Sequence, residues 1–254
     1  MGELSAVVKY YDIIADSYKY KYLKMEYYRI LYRKIGEVID RYIRPNMEVL
    51  DVGAGTGFWT IYMRSKGAHV VALDLSVRSL KACRCEDRVV GEAAHLPVRA
   101  HRFDVITALG SVYNHTARLE EAFRIASFAL KEGGLLIADI DNAVSLDMFY
   151  EYLLFQGLGR LKEALAEGYV RGEWESADGE IPFYYYTYFK VKSALANAGL
   201  KVIEARPIYL FPLLPTRLLQ RKFRVKFVEK LDLLAPFAPL ATTVIYVAER
   251  SARL

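Results

Sequence analysis

Three alternating glycines follow an acid in Asp51-Val52-Gly53-Ala54-Gly55-Thr56-Gly57, and two further acids, Asp74 and Glu92, close apolar runs downstream. Lacking Cβ atoms, such a backbone can approach a ligand closely and present its N–H groups. A carboxylate at the end of the following strand can accept hydrogen bonds from ribose hydroxyls, so the set suits an adenosine-type cofactor. Asp74-Leu75-Ser76 also reads as an acidic helix start with a purely local role. Farther on, Tyr113, Asn114 and His115 follow another apolar run. A histidine there could act as a base or substrate contact, or be structural.

The elements around these residues alternate. Val49 to Val52 reads as a short buried strand between the turn signal Pro45-Asn46 and the glycines, and a helix follows from Phe58 to Arg64, stopping at Gly67. Strands are expected at 69–74, 89–92, 103–109 and 135–140, with helices at 76–85 and 118–130, the latter closed by Lys131 to Gly134. Such alternation predicts an α/β fold, doubly wound, with a mostly parallel sheet covered on both faces. The chain is read as a single domain. Residues 1–45 form N-terminal helices and 46–142 the cofactor-binding half. Residues 143–183 are an inserted helical and aromatic cap, and 184–254 complete the sheet, with strands at 184–188, 201–205 and 242–248, a helix at 190–198 and a basic segment. In the cap, 146–166 is helical and 173–182 polar, with a turn at Asp178-Gly179.

Composition narrows the partners. Net charge is +5, but the 35 basic and 30 acidic side chains are well mixed, so no nucleic-acid partner is expected. The two cysteines, Cys83 and Cys85, cannot build a four-cysteine zinc site and are expected to be reduced residues on a helix; no metal is expected. No run reaches the roughly 18 apolar residues of a membrane span, and the first residues do not resemble a signal peptide, which predicts a cytoplasmic protein. Residues 217–234 place Leu219, Phe223 and Phe227 near one face and Arg217, Arg221 and Arg224 elsewhere. That helix either lies on an anionic membrane or packs on the core.

The glycine motif with Asp74, Glu92, Phe103-Asp104-Val105 and Leu130-Lys131-Glu132-Gly133-Gly134 resembles the class I S-adenosylmethionine-dependent methyltransferases, within them the small-molecule branch that includes the quinone and sterol methyltransferases. The resemblance covers residues 10–142 and the Gly199-Leu200-Lys201-Val202 junction with the last strand. It implies a seven-stranded sheet with a reversed last hairpin and S-adenosyl-L-methionine as cofactor. Gly53, Ala54 and Gly55 would hold its methionine and ribose, Asp74 the ribose diol, and Leu75 would pack on adenine. Glu92 and Ala93 would read the adenine edge, Leu109 would offer its carbonyl to the ammonium, and Asp51 would orient the glycine-loop amides. Tyr10, Tyr11 or Tyr18 of the N-terminal helix would close over the cofactor, or simply pack. His115 and Tyr113 are the catalytic candidates. The aromatic residues Tyr184, Tyr185, Tyr186 and Tyr188 could line a substrate pocket or weld the cap to the sheet.

The expected function is methyl transfer to a small apolar or aromatic acceptor. The Asn/Asp-Pro-Pro-aromatic motif by which methyltransferases of base amines and glutamine amides resemble one another is replaced here by Leu109-Gly110-Ser111-Val112-Tyr113. A nicotinamide-dependent oxidoreductase is disfavoured, because Phe58 stands where its Gly-x-Gly-x-x-Gly pattern needs the last glycine. A regulatory or assembly protein that binds the cofactor without turnover is the third reading.

Overall fold

A computed structural model describes residues 2–15, 26–176, 179–209 and 237–251. Among the described residues, the helices α1 (Gly2–Ile14) and α2 (Glu26–Tyr42) precede the sheet. Then follow β1 (Glu48–Val52), α3 (Phe58–Ser65), β2 (His69–Asp74), α4 (Val77–Ala82), β3 (Arg88–Val90), β4 (Phe103–Ala108), α5 (Leu119–Ala129) and β5 (Leu130–Asp141). After β5 come α6 (Leu146–Glu151), a π-turn (Tyr152–Gln156), α7 (Leu158–Glu167) and the strands β6 (Tyr169–Ser176) and β7 (Gly179–Tyr186). The chain continues with α8 (Tyr188–Asn197), β8 (Leu200–Ile208) and β9 (Thr243–Arg250).

The sheet has seven strands in the order β3-β2-β1-β4-β5-β9-β8. β9 runs antiparallel to both of its neighbours, while the pairs from β3 to β5 are parallel. Period-two alternation gives each strand two apolar faces. Val49, Val70 and Val105 share one layer with Ile35 and Ile39 of α2 and Met63 of α3. Leu50 and Ile106 face the other, with Phe123 of α5 and Val191 of α8. From β1 the chain builds outward through β2 and β3, then returns to place β4 on the other side of β1. The carboxyl ends of β1 and β4 therefore form the switch point where such sheets open a crevice.

Several boundaries differ from the sequence expectation. Lys131 to Gly134 does not simply end a helix: β5 already pairs at Leu130, and a register shift between Phe103 and Val105 absorbs the glycines as a bulge. Residues 169–186 form a two-stranded hairpin outside the main sheet, and Tyr188 opens α8, capped by the Thr187 hydroxyl, instead of ending a strand. α4 stops at Ala82 because Cys83 takes extended backbone. Cys83 and Cys85 are accordingly not on a helix; both are buried, with their sulfurs in contact. Residues 217–234 lie outside the described residues, as does Tyr18. No helix of the described residues is long and apolar enough to cross a membrane.

Candidate functional site

At the switch point a cavity opens between the ends of β1, β2 and β4 and helix α1. Its floor is the glycine turn. Gly53, Gly55 and Gly57 all adopt positive φ, of 68°, 54° and 83°. At Gly53 a Cβ would come within 2.5 Å of the Val112 side chain, whereas at Gly55 it would meet nothing within 4 Å, because that edge faces the cavity. The Ala54 amide donates to the carbonyl of Leu73, and the Gly55 amide donates to Asp74 Oδ2 at 2.8 Å. Asp74 Oδ1 accepts the Ser76 amide at 2.8 Å. Burial pushes the Asp74 carboxyl above its ordinary range, against the pull of these backbone donors. Each carboxylate oxygen has two acceptor sites, so Asp74 can still receive two hydroxyls.

Gly53, Ala54, Gly55, Asp74, Leu75, Glu92, Ala93 and Leu109 all line this one cavity. Glu92 is held from outside, accepting from Arg118 at 2.6 Å and contacting His95 at 3.1 Å. Three expected residues are not brought to it. Asp51 is fully buried and accepts the hydroxyls of Thr60 (2.6 Å) and Thr107 (2.8 Å), tying β1 to α3 and β4 instead of orienting glycine amides. Its carboxyl is raised to about 6 by desolvation. Tyr113 is wholly buried with its ring edge-on to Phe123 at 5.1 Å, in the core and away from the cavity. Tyr10 lies on the face of α1 that packs with Val7 and Ile14 against Ile181. The next residue, turned about 100° around the helix, is Tyr11, and it does reach the cavity, together with Leu4, Val7, Val8 and Ala15.

The loop after β4 is bolted in place. Asp139 accepts the amides of Gly110 (2.7 Å) and Ser111 (3.0 Å), which holds Ser111 at a positive φ of 59°. Asn114 donates to the Tyr184 carbonyl at 2.7 Å and receives the Asp141 amide at 3.1 Å. Asp141 in turn accepts the hydroxyls of Ser111 and Thr243. Burial raises the Asp139 and Asp141 carboxyls to about 7 and about 6. The loop ends on His115, whose Nδ1 lies 3.3 Å from the Pro182 carbonyl and whose Nε2 lies 2.9 Å from the Tyr11 hydroxyl. A carbonyl only accepts, so Nδ1 carries the proton, and Nε2 accepts from Tyr11. Desolvation lowers the His115 pKa to about 4, which keeps the ring neutral at pH 7.

The Asp139–Asp141 brace is not among the sequence expectations, although two acids ending an apolar run at a strand's carboxyl edge are its signal. Tyr32, Phe58 and Trp59 also line the cavity, with ring centroids 4.8 to 5.1 Å apart, Tyr32 stacked on Trp59 and Phe58 edge-on to both. Helical spacing alone reads such rings as core.

Residues 25–205 match a family model described as a methyltransferase domain. The chain belongs to this methyltransferase family. It is an S-adenosylmethionine-dependent enzyme, and its cavity fits that donor. Among the described residues, the only carboxylates or cations lining it are Asp74 and Glu92. These two acids favour a cationic sulfonium over an anionic pyrophosphate. The methyltransferase is 27 % identical over 206 residues to an uncharacterized protein of Methanocaldococcus jannaschii, a match spanning 79 % of this chain and 78 % of that one. It is 35 % identical over 133 residues to a demethylmenaquinone methyltransferase of Mycobacterium sp. (strain JLS), covering 49 % of this chain and 56 % of that one. A putative S-adenosylmethionine-dependent methyltransferase from Listeria monocytogenes superposes with a TM-score of 0.62 at 14 % identity, over 86 % of this chain and 100 % of that one, a likeness of fold alone.

Proposed function

We propose that this methyltransferase acts on a small, apolar or aromatic acceptor. The observation that carries the reading is the continuity of one cavity from the glycine turn to His115, with the apolar side chains of α1 as its wall. When bound, S-adenosylmethionine supplies a methyl group made electrophilic by its sulfonium. Gly53, Ala54 and Gly55 bind its methionine and ribose, Asp74 takes the diol, and Leu75 packs on adenine. Glu92 and the Ala93 backbone read the adenine edge, and the Leu109 carbonyl takes the ammonium. The chain contributes alignment and exclusion of water, which are the main demands of an in-line displacement. His115, neutral and aimed into the cavity, is positioned to take a proton where the acceptor must lose one. Tyr113 drops out of this role because it is enclosed in the core. The similarity to proteins named demethylmenaquinone methyltransferases supports a small-molecule acceptor.

Unfolding with S-adenosylhomocysteine, S-adenosylmethionine and NAD in parallel tests the cofactor side. The first two should raise the melting temperature and NAD should not. Stabilisation by NAD alone would refute the reading.

A further inference from the structure

Cys83 and Cys85 take no part in the methyl transfer, yet they lie directly behind the donor cradle. α4 ends at Ala82, and both sulfurs come together against Gly57, where a Cβ would collide with each of them. Gly57 caps α3 at a positive φ of 83°, and its amide donates to the Ala54 carbonyl at 2.9 Å. Ala54 packs on the buried cluster of Ala72, Leu80, Cys83 and Cys85, and it also lines the cavity. Ser79, whose carbonyl accepts the Cys83 amide at 3.0 Å, lines the cavity too. The two sulfurs therefore support the cavity wall from behind.

We propose that Cys83 and Cys85 form a redox modification site: a low-molecular-weight disulfide oxidises the pair to a Cys83–Cys85 disulfide, and the oxidised chain binds the methyl donor more tightly than the reduced one. The proposal rests on the reading that this cavity holds the donor. The two Cα atoms are 5.3 Å apart, inside the span that a disulfide bridges. A bridge over one intervening residue closes almost no loop, so chain entropy makes it a poor structural staple. Its effect lies in the space it takes. Bonded sulfurs stand about 2.05 Å apart, whereas two thiols need roughly 3.5 Å or more. On reduction that extra room comes from the Gly57 backbone or from residues 83–87, and either shift reaches Ala54 or Ser79. Cys85 is the point of entry, because its neighbours Arg84 and Glu86 are exposed and the Arg64–Glu86 pair that ties down this loop, at 3.1 Å, lies at the surface, where such pairs hold weakly. Its thiolate attacks the reagent and releases one thiol; Cys83 then attacks the Cys85 sulfur of the mixed disulfide and releases the second. Two cysteine thiols are thus oxidised to one disulfide while one reagent disulfide is reduced to two thiols.

The test equilibrates the full chain in glutathione buffers of graded disulfide-to-thiol ratio, then alkylates the free thiols and counts them by mass. Wild type should pass from two free thiols to none. Calorimetry on the two end states should show S-adenosylhomocysteine binding about tenfold tighter to the oxidised chain, an ordinary strength of coupling between sites. Coupling is reciprocal, so saturating S-adenosylhomocysteine should raise the equilibrium constant for oxidation by the same factor; a bridge without influence on the cavity would leave that constant unmoved. The double variant Cys83→Ala, Cys85→Ala should bind with one affinity at every ratio. Should it not fold, the two wild-type measurements decide the matter alone. Two free thiols at every ratio, equal or tighter binding by the reduced chain, or a redox response kept in the double variant would overturn the proposal while leaving the donor site intact. Failure of both wild-type states to bind S-adenosylhomocysteine would overturn the donor reading and this proposal with it.

Discussion

The carboxylate of Asp74 receives the amide of Gly55 at 2.8 Å, fastening the end of β2 to the middle glycine of the cradle. The acid is thereby aimed into the cavity by the same turn that leaves room for the donor. With Asp74 taking the ribose diol as proposed, Asp74→Ala would remove two charge-assisted hydrogen bonds, each worth roughly 1.5 kcal/mol. The expected loss in S-adenosylhomocysteine affinity is about a hundredfold. Titration calorimetry on the folded variant checks it, and an unchanged affinity would remove Asp74 from the site.

Gly53 is confined twice, by a positive φ and by Val112 at 2.5 Å from a Cβ. Gly53→Ala should destabilise the chain by about 1 to 3 kcal/mol, the range for a strained backbone position. Adding Val112→Ala should recover part of that loss and not all, because it relieves the clash and leaves the φ. Chemical denaturation of the single and double variants separates the two contributions.

Asp139 is buried under the loop that carries His115, with its carboxyl raised to about 7. A carboxyl raised in the native state binds its proton there while the unfolded chain is already ionised, so its stabilising effect is full below about 3.8 and is lost as pH rises through about 7. Asp139→Asn abolishes this dependence. Relative to wild type, the variant should gain on the order of 2 kcal/mol between pH 5.5 and pH 8. A constant difference across that range would contradict the assignment.

His115 runs the other way. Its pKa is lowered to about 4, so stability contributed by the neutral ring is present above about 6.5 and lost as pH falls toward 4. NMR of the wild type should show this imidazole neutral and protonated on Nδ1 from pH 8 to about pH 5. On an acceptor that must lose a proton, His115→Ala should lower kcat by about a hundredfold or more, with S-adenosylhomocysteine affinity retained.

Much of the cofactor side was legible because it is local. The glycines, Asp74 and Glu92 sit at strand ends, and strand ends follow from apolar runs and turn residues. Tyr10 and Tyr11 could not be told apart in this way: which face of α1 meets the cavity is set by packing against Ile181, far along the chain. Asp51 beside the glycines looked like a partner for their amides, yet Thr60 and Thr107 reach it first from two other elements. Tyr113 and His115 share one short turn, and only the tertiary brace of Asp139, Asp141 and Asn114 decides that His115 faces the cavity while Tyr113 faces Phe123. Long-range hydrogen bonds of this kind leave no periodic trace in sequence.

Methyl transfer to a small apolar molecule is tested most directly by following isotope-labelled methyl from S-adenosylmethionine into a fractionated cell extract. The label should appear in organic-extractable, uncharged material, and the Asp74→Ala variant should fail to place it there. Binding of S-adenosylhomocysteine with no label in any small-molecule fraction, or label confined to protein or nucleic acid, would contradict it.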